Sequence, residues 1–315
     1  MMKKTFIIIF FVLSMLTASG GFFGNAYDYG TNARSIALSK ALVANYNRGN
    51  NVFSNPAYLG YVINKEYSFS HFSLSLDRFM HTISISLPMP DEEAGIGISA
   101  FITGVEEIPM TVDQPDDFLD MGYYNTYEGY LMCSFGAKLT KKISLGINLR
   151  FLKNEISKDY SASGLGSDIG MLIDLSKDYK MGLAINNLYS KYSWDFNYGG
   201  TNYEYDEKFY RTFILGLSAN IYDNILFLSQ IEYISNVKRL NYRIGFEKNI
   251  FIGNSSPIKI RSGVNYKNDL FSPSCGLGYT VDSYQKFNID IDYAFDNRTI
   301  GNGFNHLFTL TFYKK

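Results

Sequence analysis

The chain has 315 residues, of which 46% are hydrophobic, 17% are aromatic and 19% are charged, and its mean hydropathy is −0.10. Its 29 Lys and Arg residues balance 30 Asp and Glu residues to a net charge of −1, which excludes a basic nucleic-acid-binding surface and an acidic tail. The aromatic and β-branched content argues against disorder and favours strands, while the near-neutral hydropathy argues against a bundle of membrane-spanning helices.

The N-terminus has the three regions of a secretory signal peptide, which we place at residues 1–20. Two lysines precede an apolar run of eleven residues, 6–16, and small residues follow up to Gly20. This run is too short to cross a bilayer, which takes about 20 residues. We therefore expect an exported protein that is cleaved after Gly20 or, alternatively, after Ala26.

The next segment, residues 21–62, does not alternate in polarity. Ala33, Ala37, Ala41 and Ala44 recur at helical spacing, and a turn-rich stretch follows them. A segment of this kind ahead of a barrel either dangles in the periplasm or folds into the lumen as a hatch. A wide barrel has room for a hatch, because barrels well above eight strands are not filled by their own side chains.

From residue 65 onward the dominant pattern has a period of two, which is typical of strands. In residues 143–151 five apolar residues take one face, and Ser144, Gly146, Asn148 and Arg150 take the other. About fourteen such runs occur, most of them ~9–11 residues long or slightly longer, which is the length of a tilted strand that crosses a bilayer. The runs lie near 65–76, 79–88, 94–103, 126–139, 143–155, 167–175, 181–188, 208–220, 225–234, 239–248, 257–266, 274–282, 286–295 and 304–313.

The connections between these runs tend to alternate in length, as they do in outer-membrane barrels with an even strand number. The segments 104–125, 156–166 and 189–207 are long and rich in Tyr, Asp, Gly and Asn, whereas turns such as 140–142 are short. A closed barrel also leaves no strand edge in lipid. We therefore expect an all-β fold, a transmembrane antiparallel β-barrel of about 14 strands over residues 63–315, located in the cell outer membrane.

Three local features of the runs need their own interpretation. The apolar phase of the first run changes near His71, which predicts a β-bulge there. Arg211 falls on the apolar face between Phe209 and Phe213, where a long side chain at the extracellular rim can snorkel. Cys133 and Cys275, the only two cysteines, lie on apolar faces, and we interpret them as small hydrophobes rather than as a disulfide.

The polar faces of the runs carry charges of both signs. One interpretation is a lumen network of mutually neutralising charges that also holds the hatch. The alternative is that Arg150, Arg243 and Arg261 attract a carboxylate head group. The candidate network consists of Asn148, Arg150, Arg243, Glu247, Arg261, Asp290 and Asp292.

The sequence offers little support for catalysis. Its three histidines are scattered and fit no metal-ligand spacing, and no Gly-x-Ser-x-Gly motif occurs. The glycines at 164 and 166 precede a strand rather than a helix, which disfavours a dinucleotide site. We expect a protein that is not an enzyme, with no catalytic residues, no metal and no cofactor.

Several short motifs resemble the FadL-like outer-membrane transporter superfamily, and more narrowly its PorV/PorQ-type branch, which includes spirochaetal members. The resemblance covers residue 30 to the C-terminus, and one departure from the family pattern is Ser39-Lys40, where glycine is common. The matching motifs are Gly30-x-x-Ala33-Arg34-Ser35-x-Ala37-Leu38 with Ala41, Asn55-Pro56-Ala57-x-Leu59, Leu183-Ala184-Ile185-Asn186-Asn187-Leu188, Ile244-Gly245-Phe246-Glu247, Arg261-Ser262-Gly263-Val264-Asn265-Tyr266, Gly276-Leu277-Gly278-Tyr279 and Asp292-Tyr293-Ala294-Phe295.

The resemblance implies a fourteen-stranded barrel with an N-terminal hatch whose movement opens a path for hydrophobic substrates. It assigns Asn55, Pro56 and Ala57 to the hatch gate, although Asn-Pro is also a plain turn starter. It further suggests a lateral exit to the bilayer at a strand kink formed by Gly95 and Gly97, although glycine is common in barrel interiors.

Function follows from the resemblance in two alternative ways. The first is passive uptake of hydrophobic small molecules such as long-chain fatty acids. The second is a non-transporting assembly role of the PorV/PorQ kind, in type IX secretion, and a general porin is a third hypothesis. Expected partners are outer-membrane lipid, a hydrophobic ligand and the barrel-insertion machinery, with secretion-system proteins under the second hypothesis and no nucleic acid. Candidate residues for a substrate-binding mouth, or for an interfacial aromatic girdle, are Tyr123, Tyr124, Tyr189, Tyr192, Trp194, Tyr203 and Tyr205.

Overall fold

The fold is described from a computed structural model of the chain. The predicted signal peptide lies outside the described residues. The structure describes residues 27, 29–46, 48, 51–74, 77–90, 93–113, 118–157, 160–198, 201–222, 224–251, 256–267, 270–282, 287–296 and 305–314.

Among the described residues, fifteen strands form one antiparallel sheet. Consecutive strands pair with each other except β8 and β9, and β1 closes the sheet by pairing with the last strand. The lower part of β7 pairs with β9 and its upper part pairs with β8, so fourteen strands close the barrel and β8 extends one hairpin above it. The strands are β1 (Glu66–Leu74), β2 (Arg78–Pro88), β3 (Ala94–Asp113), β4 (Phe118–Thr140), β5 (Ile143–Ser157), β6 (Tyr160–Asp174), β7 (Tyr179–Tyr198), β8 (Thr201–Lys208), β9 (Thr212–Ile221), β10 (Ile225–Ile234), β11 (Arg239–Ile250), β12 (Ile258–Lys267), β13 (Leu270–Asp282), β14 (Phe287–Asp296) and β15 (Asn305–Lys314). The closed fourteen-stranded barrel predicted from the alternation is confirmed.

The alternation places apolar side chains outside the barrel and polar ones inside. On β5, Leu149 and Phe151 point outward and are 50% and 54% exposed, whereas Asn148 and Arg150 point inward and are buried. A soluble protein buries its apolar face, so this reversed arrangement is that of a barrel whose outer face contacts lipid. No helix among the described residues is long and apolar enough to cross a membrane.

The two ends of the barrel differ in height. At one end, which we call the tall rim, the hairpins β3–β4, β5–β6 and β7–β8 continue well above their neighbours; at the other, the short-turn rim, turns such as 140–143 close the strands. The prediction of three long loops at the tall rim is therefore wrong for most of their residues. These residues extend the strands, and pairing continues up to Asp113–Phe118 and Tyr198–Thr201. Strands that rise above the lipid have water on both sides and lose the two-residue alternation.

Two of the local interpretations are also corrected. β1 pairs without interruption with both neighbours, so there is no bulge at His71. The apolar phase changes because Tyr67 and Phe69 face outward whereas Phe72 and Leu74 face an apolar part of the lumen. Arg211 precedes β9 rather than lying within it, and its Nε donates a hydrogen bond to the Leu188 carbonyl at 3.0 Å.

The two cysteines are both free and exposed on the outer face, which agrees with their interpretation as small hydrophobes. Cys133 lies on β4 and Cys275 on β13, two strands that do not neighbour each other in the sheet.

The described part of residues 27–62, which we call the hatch, lies inside the lumen. It contains α1 (Ala33–Ala37), a 3₁₀ turn (Asn51–Phe53) and a 3₁₀ helix (Pro56–Tyr61), so the helix indicated by the alanine spacing is only five residues long. The chain leaves α1 through Ser39 and Lys40, whose φ angles of 50° and 63° are in the left-handed region. Glycine adopts that conformation without cost, so Ser39 and Lys40 carry a backbone strain that glycine would avoid.

Candidate functional site

A ring of glycines around the inner wall allows the hatch to lie directly against the strands. A Cβ atom at Gly170 would overlap the Asn55 amide, and one at Gly182 would overlap the Val43 carbonyl. Four of these glycines are successive cross-strand partners on β3, β4, β5 and β6. The glycine ring consists of Gly95, Gly136, Gly146, Gly170, Gly182, Gly216, Gly245, Gly263 and Gly276.

The predicted gate residues lie where the hatch meets this ring. Asn55 is fully buried, and its Nδ2 donates to the carbonyls of Val43, Met171 and Leu183 at 2.8, 3.1 and 3.3 Å. Its Oδ1 accepts from Ala57 N at 3.1 Å and so caps the 3₁₀ helix that Pro56 begins. The element is thus a turn starter that is also bonded to two strands of the wall, and its role as a gate stays a prediction.

At Gly95 and Gly97 the pairing of β3 is regular, and the lateral exit at these glycines stays a prediction. β3 pairs continuously with β2 and β4 at both positions, and its register shifts occur above Val105. A Cβ at Gly95 would lie 2.5 Å from the Leu59 carbonyl oxygen of the hatch. Gly95 therefore provides room for the hatch, and a valine there would collide with it.

A chain of buried ion pairs ties α1 to the wall. Arg34 Nε lies 2.9 Å from Glu247 Oε2, and Arg261 Nε lies 2.6 Å from the same oxygen. Arg261 continues through its NH1 group to Asp292 at 2.6 Å, which links β11, β12 and β14 to the hatch. One carboxylate thus pairs with two arginines that are both almost fully buried. The hatch is held to the wall by these charges as well as by close packing against the glycine ring.

The other wall arginines also have carboxylate partners. Arg243 NH2 lies 2.6 Å from Glu232 and donates through NH1 to the Ser39 carbonyl of the hatch, while Arg150 NH2 lies 2.7 Å from Asp168. Geometry therefore favours mutual neutralisation over three arginines held ready for a substrate anion.

The remaining network candidates occupy the same inner wall. Asn148 donates to Val52 O of the hatch at 3.3 Å, and Asp290 lies 3.6 Å from Lys259 Nζ of the wall. Sequence reasoning missed Arg34, Asp168 and Glu232. Asp168 and Glu232 face the lumen like the predicted residues, so the alternation could have found them, whereas the docking of Arg34 depends on how the hatch folds.

Above this charged region the lumen is lined by apolar and aromatic side chains from the tall-rim half of the strands. Of the candidate mouth residues, Tyr192 and Trp194 turn into this lining and are 0% and 4% exposed, whereas Tyr123 and Tyr189 remain at 68% and 58%. The lining consists of Phe72, Leu74, Met80, Phe101, Tyr130, Met132, Leu152, Ala162, Tyr192, Trp194, Phe209, Ala294 and Leu307.

A cavity of about 130 Å³ lies between this lining and the charged region. Tyr27, Phe53 and Tyr130 contribute ring surface to it, and Arg150 and Asp168 contribute an ion pair. The described residues hold no group of three or more metal-ligating side chains. The cavity can therefore accommodate a small molecule with an apolar body, but its charged walls are already paired.

Two tyrosines of the hatch, Tyr27 and Tyr58, stay protonated inside the barrel. Burial, together with the Glu66 carboxylate to which its hydroxyl donates at 2.5 Å, raises the pKa of Tyr58 well above its usual value. Burial, and then the neighbouring Tyr192 and Glu128, raise the pKa of Tyr27 in the same direction. Both phenols are therefore neutral hydrogen-bond donors at every physiological pH.

No protein-family model and no curated protein matches this sequence. Among solved structures, the chain is similar to the toluene transporter TodX of Pseudomonas putida, with a TM-score of 0.65 and 13% identity over 91% of this chain and 98% of that one. It is similar to the toluene transporter TbuX of Ralstonia pickettii (0.59, 12%, 91% and 98%) and to a FadL homologue of Pseudomonas aeruginosa (0.60, 9%, 90% and 98%).

Identities this low show the fold alone. The chain has the FadL-like barrel fold that its motifs predicted, over nearly its whole length. Its place in the PorV/PorQ-type branch stays a prediction.

Proposed function

We propose that this protein is an outer-membrane channel for the passive uptake of hydrophobic small molecules. The observation that carries the proposal is the apolar lining in the tall-rim half of the lumen, with Phe101, Met132 and Leu152 facing inward beside the hatch. A water-filled porin has a polar interior, so an inward-facing apolar surface suits a cargo that leaves water. The fold shared with two toluene transporters agrees with this class of cargo.

In this proposal the tall rim faces the cell exterior and the short-turn rim faces the periplasm, as in other outer-membrane barrels. A substrate enters between the tall hairpins, reaches the cavity beside Tyr27 and passes the hatch after a movement near Asn55, Pro56 and Ala57. The ion pair of Arg34 with Glu247 and the hydrogen bond of Arg243 to the Ser39 carbonyl keep α1 in place during that movement.

Long-chain fatty acids remain the substrate predicted from the resemblance, and the wall arginines bear on that prediction. Arg150, Arg243 and Arg261 each have a carboxylate within 2.7 Å. A fatty-acid head group would have to compete with these partners, so the charged region favours a neutral cargo. The secretion-related role stays a separate prediction.

Uptake in cells with a lipopolysaccharide outer leaflet tests the proposal, because apolar solutes cross that surface slowly. Cells that express the barrel should accumulate radiolabelled toluene or oleate several-fold faster than cells with an empty vector. Maltose serves as the hydrophilic control and should show no increase. An equal increase for maltose would indicate a general porin, and no increase for either apolar solute would overturn the proposal.

A further inference from the structure

Tyr27, the first described residue of the hatch, is held in an aromatic pocket of the barrel wall. Its ring lies edge-on to Phe101 and Tyr130, with centroid distances of 5.4 and 4.9 Å, and 6.1 Å from Phe209. Phe101 and Tyr130 are stacked on each other at an interplanar angle of 6°. Three rings from three parts of the wall thus surround one ring from the hatch.

When Tyr192 donates to Glu128, the polar end of this pocket offers hydrogen-bond acceptors. Tyr192 donates its hydroxyl to Glu128 Oε1 at 3.1 Å, so its oxygen is left to accept. The Tyr27 hydroxyl lies 2.5 Å from that oxygen and 3.3 Å from the carbonyl of Gly129. Whatever occupies the pocket must therefore present an O–H or N–H group at this end.

The pocket adjoins the cavity described above. Tyr27 and Tyr130 belong both to the ring cluster and to the walls of the 130 Å³ space. Withdrawal of the Tyr27 side chain would join the two volumes into one site. A rigid apolar cavity of about 150 Å³ is large enough to bind benzene.

We propose that this pocket binds small aromatic molecules that carry a hydroxyl group, and that Tyr27 occupies it as a built-in stand-in that the ligand replaces. The inference rests on the proposed function and names its substrate class as phenols. A phenol would bond with Tyr192 and Gly129 as Tyr27 does, with its ring between Phe101, Tyr130 and Phe209.

The same geometry disfavours two other ligand classes. A carboxylate at the polar end would face the Glu128 carboxylate and find no donor, because the Tyr192 hydrogen is already given to Glu128. A plain hydrocarbon would fill the ring space but leave the buried acceptors without a donor. A buried acceptor left without a donor weakens binding by roughly tenfold to a hundredfold. We therefore expect the pocket to bind p-cresol more tightly than toluene by that factor.

The test uses Tyr27→Ala in the purified full chain with p-cresol, which has the atoms of a tyrosine side chain. Trp194 is the only tryptophan, and its ring lies 5.7 Å from Tyr192, so its fluorescence reports on the site. Tyr27→Ala should bind p-cresol at least tenfold more tightly than the wild-type chain, because no internal ring has to leave, and more tightly than toluene. Binding of p-cresol no tighter than in the wild-type chain would overturn the inference.

Two further variants guard against misfolding and locate the selectivity. Tyr27→Phe keeps the ring in place but leaves the acceptors unpaired, so p-cresol should displace it more readily than it displaces Tyr27. In Tyr27→Ala/Tyr192→Phe the preference for p-cresol over toluene should fall towards one while toluene binding stays. A preference that persists in this double variant would show that the polar end does not select the ligand.

The uptake assay keeps this inference separate from the proposed function. Uptake of toluene or oleate without a p-cresol site in Tyr27→Ala would overturn the pocket and leave the channel. A p-cresol site without uptake of any apolar solute would overturn the channel and leave a binding pocket.

Discussion

At the scale of single residues, the Glu247 carboxylate of the wall pairs with both Arg34 of the hatch and Arg261 of the wall. Glu247→Gln leaves Arg34 and Arg261 buried beside a neutral amide, and loss of one partner of a buried ion pair costs about 3–5 kcal/mol. We expect a lower urea midpoint for unfolding in lipid vesicles and faster proteolysis of the hatch. Asp290→Asn is the matched control, because Asp290 pairs with Lys259 of the wall. Equal hatch proteolysis in wild-type and Glu247→Gln chains would refute the assigned role.

Asn55 gives a second prediction, which depends on the direction of its hydrogen bonds. Asn55→Ala removes a helix cap and three donor contacts and should cost about 2–3 kcal/mol. Asn55→Asp keeps the cap acceptor but places a carboxylate against the carbonyls of Val43, Met171 and Leu183, so it should be the more destabilising change. Proteolysis of the hatch should therefore increase from wild type to Asn55→Ala to Asn55→Asp. The reverse order of the two variants would mean that the cap, not the donor group, holds this element.

The sequence predicted which wall residues face the lumen but not which residues they contact. Arg150, Arg243 and Arg261 were identified because alternation alone fixes the face of a strand residue. Their partners depend on strand register and on the path of the hatch, which are set by contacts between residues far apart in the chain. Arg34 shows this most clearly, since its partner Glu247 is 213 positions away.

At the scale of elements, the contact between the glycine ring and the hatch predicts a contrast between two glycines of the same wall. A Cβ at Gly146 would collide with the Pro56–Ala57 peptide, whereas one at Gly97 would lie 3.3 Å or more from its neighbours. Gly146→Ala should cost about 1–3 kcal/mol through overpacking. Gly97→Ala should be neutral or slightly stabilising because it lowers the entropy of the unfolded chain. Urea unfolding of both variants measures the contrast, and equal costs would show that the hatch does not seat on the ring.

Disulfide locks test which part of the hatch moves. The hydroxyl oxygens of Ser39 and Ser274 lie 2.9 Å apart, so Ser39→Cys/Ser274→Cys can lock the end of α1 to the wall. A Cβ at Gly97 would lie 3.5 Å from Val52 Cγ2, so Val52→Cys/Gly97→Cys can lock the segment next to the gate. If movement is confined to the gate, oxidation should stop uptake only in the second pair.

The disulfide experiment needs a background without native cysteines and a reduction control. Cys133 and Cys275 are exposed on the outer face and should first be replaced by serine, so that the engineered pair alone can oxidise. Reduction should restore uptake in the gate-locked variant. Loss of uptake in the Ser39–Ser274 lock would instead place the moving part at α1, and full uptake in both oxidised variants would argue for a path that leaves the hatch at rest.

All fourteen barrel strands could be predicted from the sequence, because each has lipid on one face and a polar lumen on the other. Prediction failed where that contrast disappears. The upper parts of β3 and β4 have water on both sides, so their sequences do not alternate and were predicted as loops. Phe72 and Leu74 of β1 face an apolar part of the lumen, so the change in apolar phase was predicted as a bulge. The hatch was located by its lack of alternation, but its single short helix depends on the wall around it.

At the scale of the whole molecule, the hatch fills the lumen that the wall encloses. Fourteen strands enclose more space than their own side chains fill, and the hatch occupies that space. Its Arg34 adds one ion pair, with Glu247, to the charges that the wall pairs internally. Under the proposed function, cargo would pass by a local movement of the hatch rather than through a permanently open pore.

This arrangement makes a prediction for planar bilayers. The intact chain should carry no steady ionic current, because the hatch lies directly against the glycine ring of the inner wall. Deletion of residues 27–62 should produce a steady, porin-like conductance, since water then hydrates the lumen charges that the hatch had paired. The heat-dependent gel shift of folded barrels serves as the folding control for the deletion variant. A porin-like current through the intact chain would refute the closed hatch and favour a general porin, whereas a silent but folded deletion variant would show that another part of the chain closes the lumen.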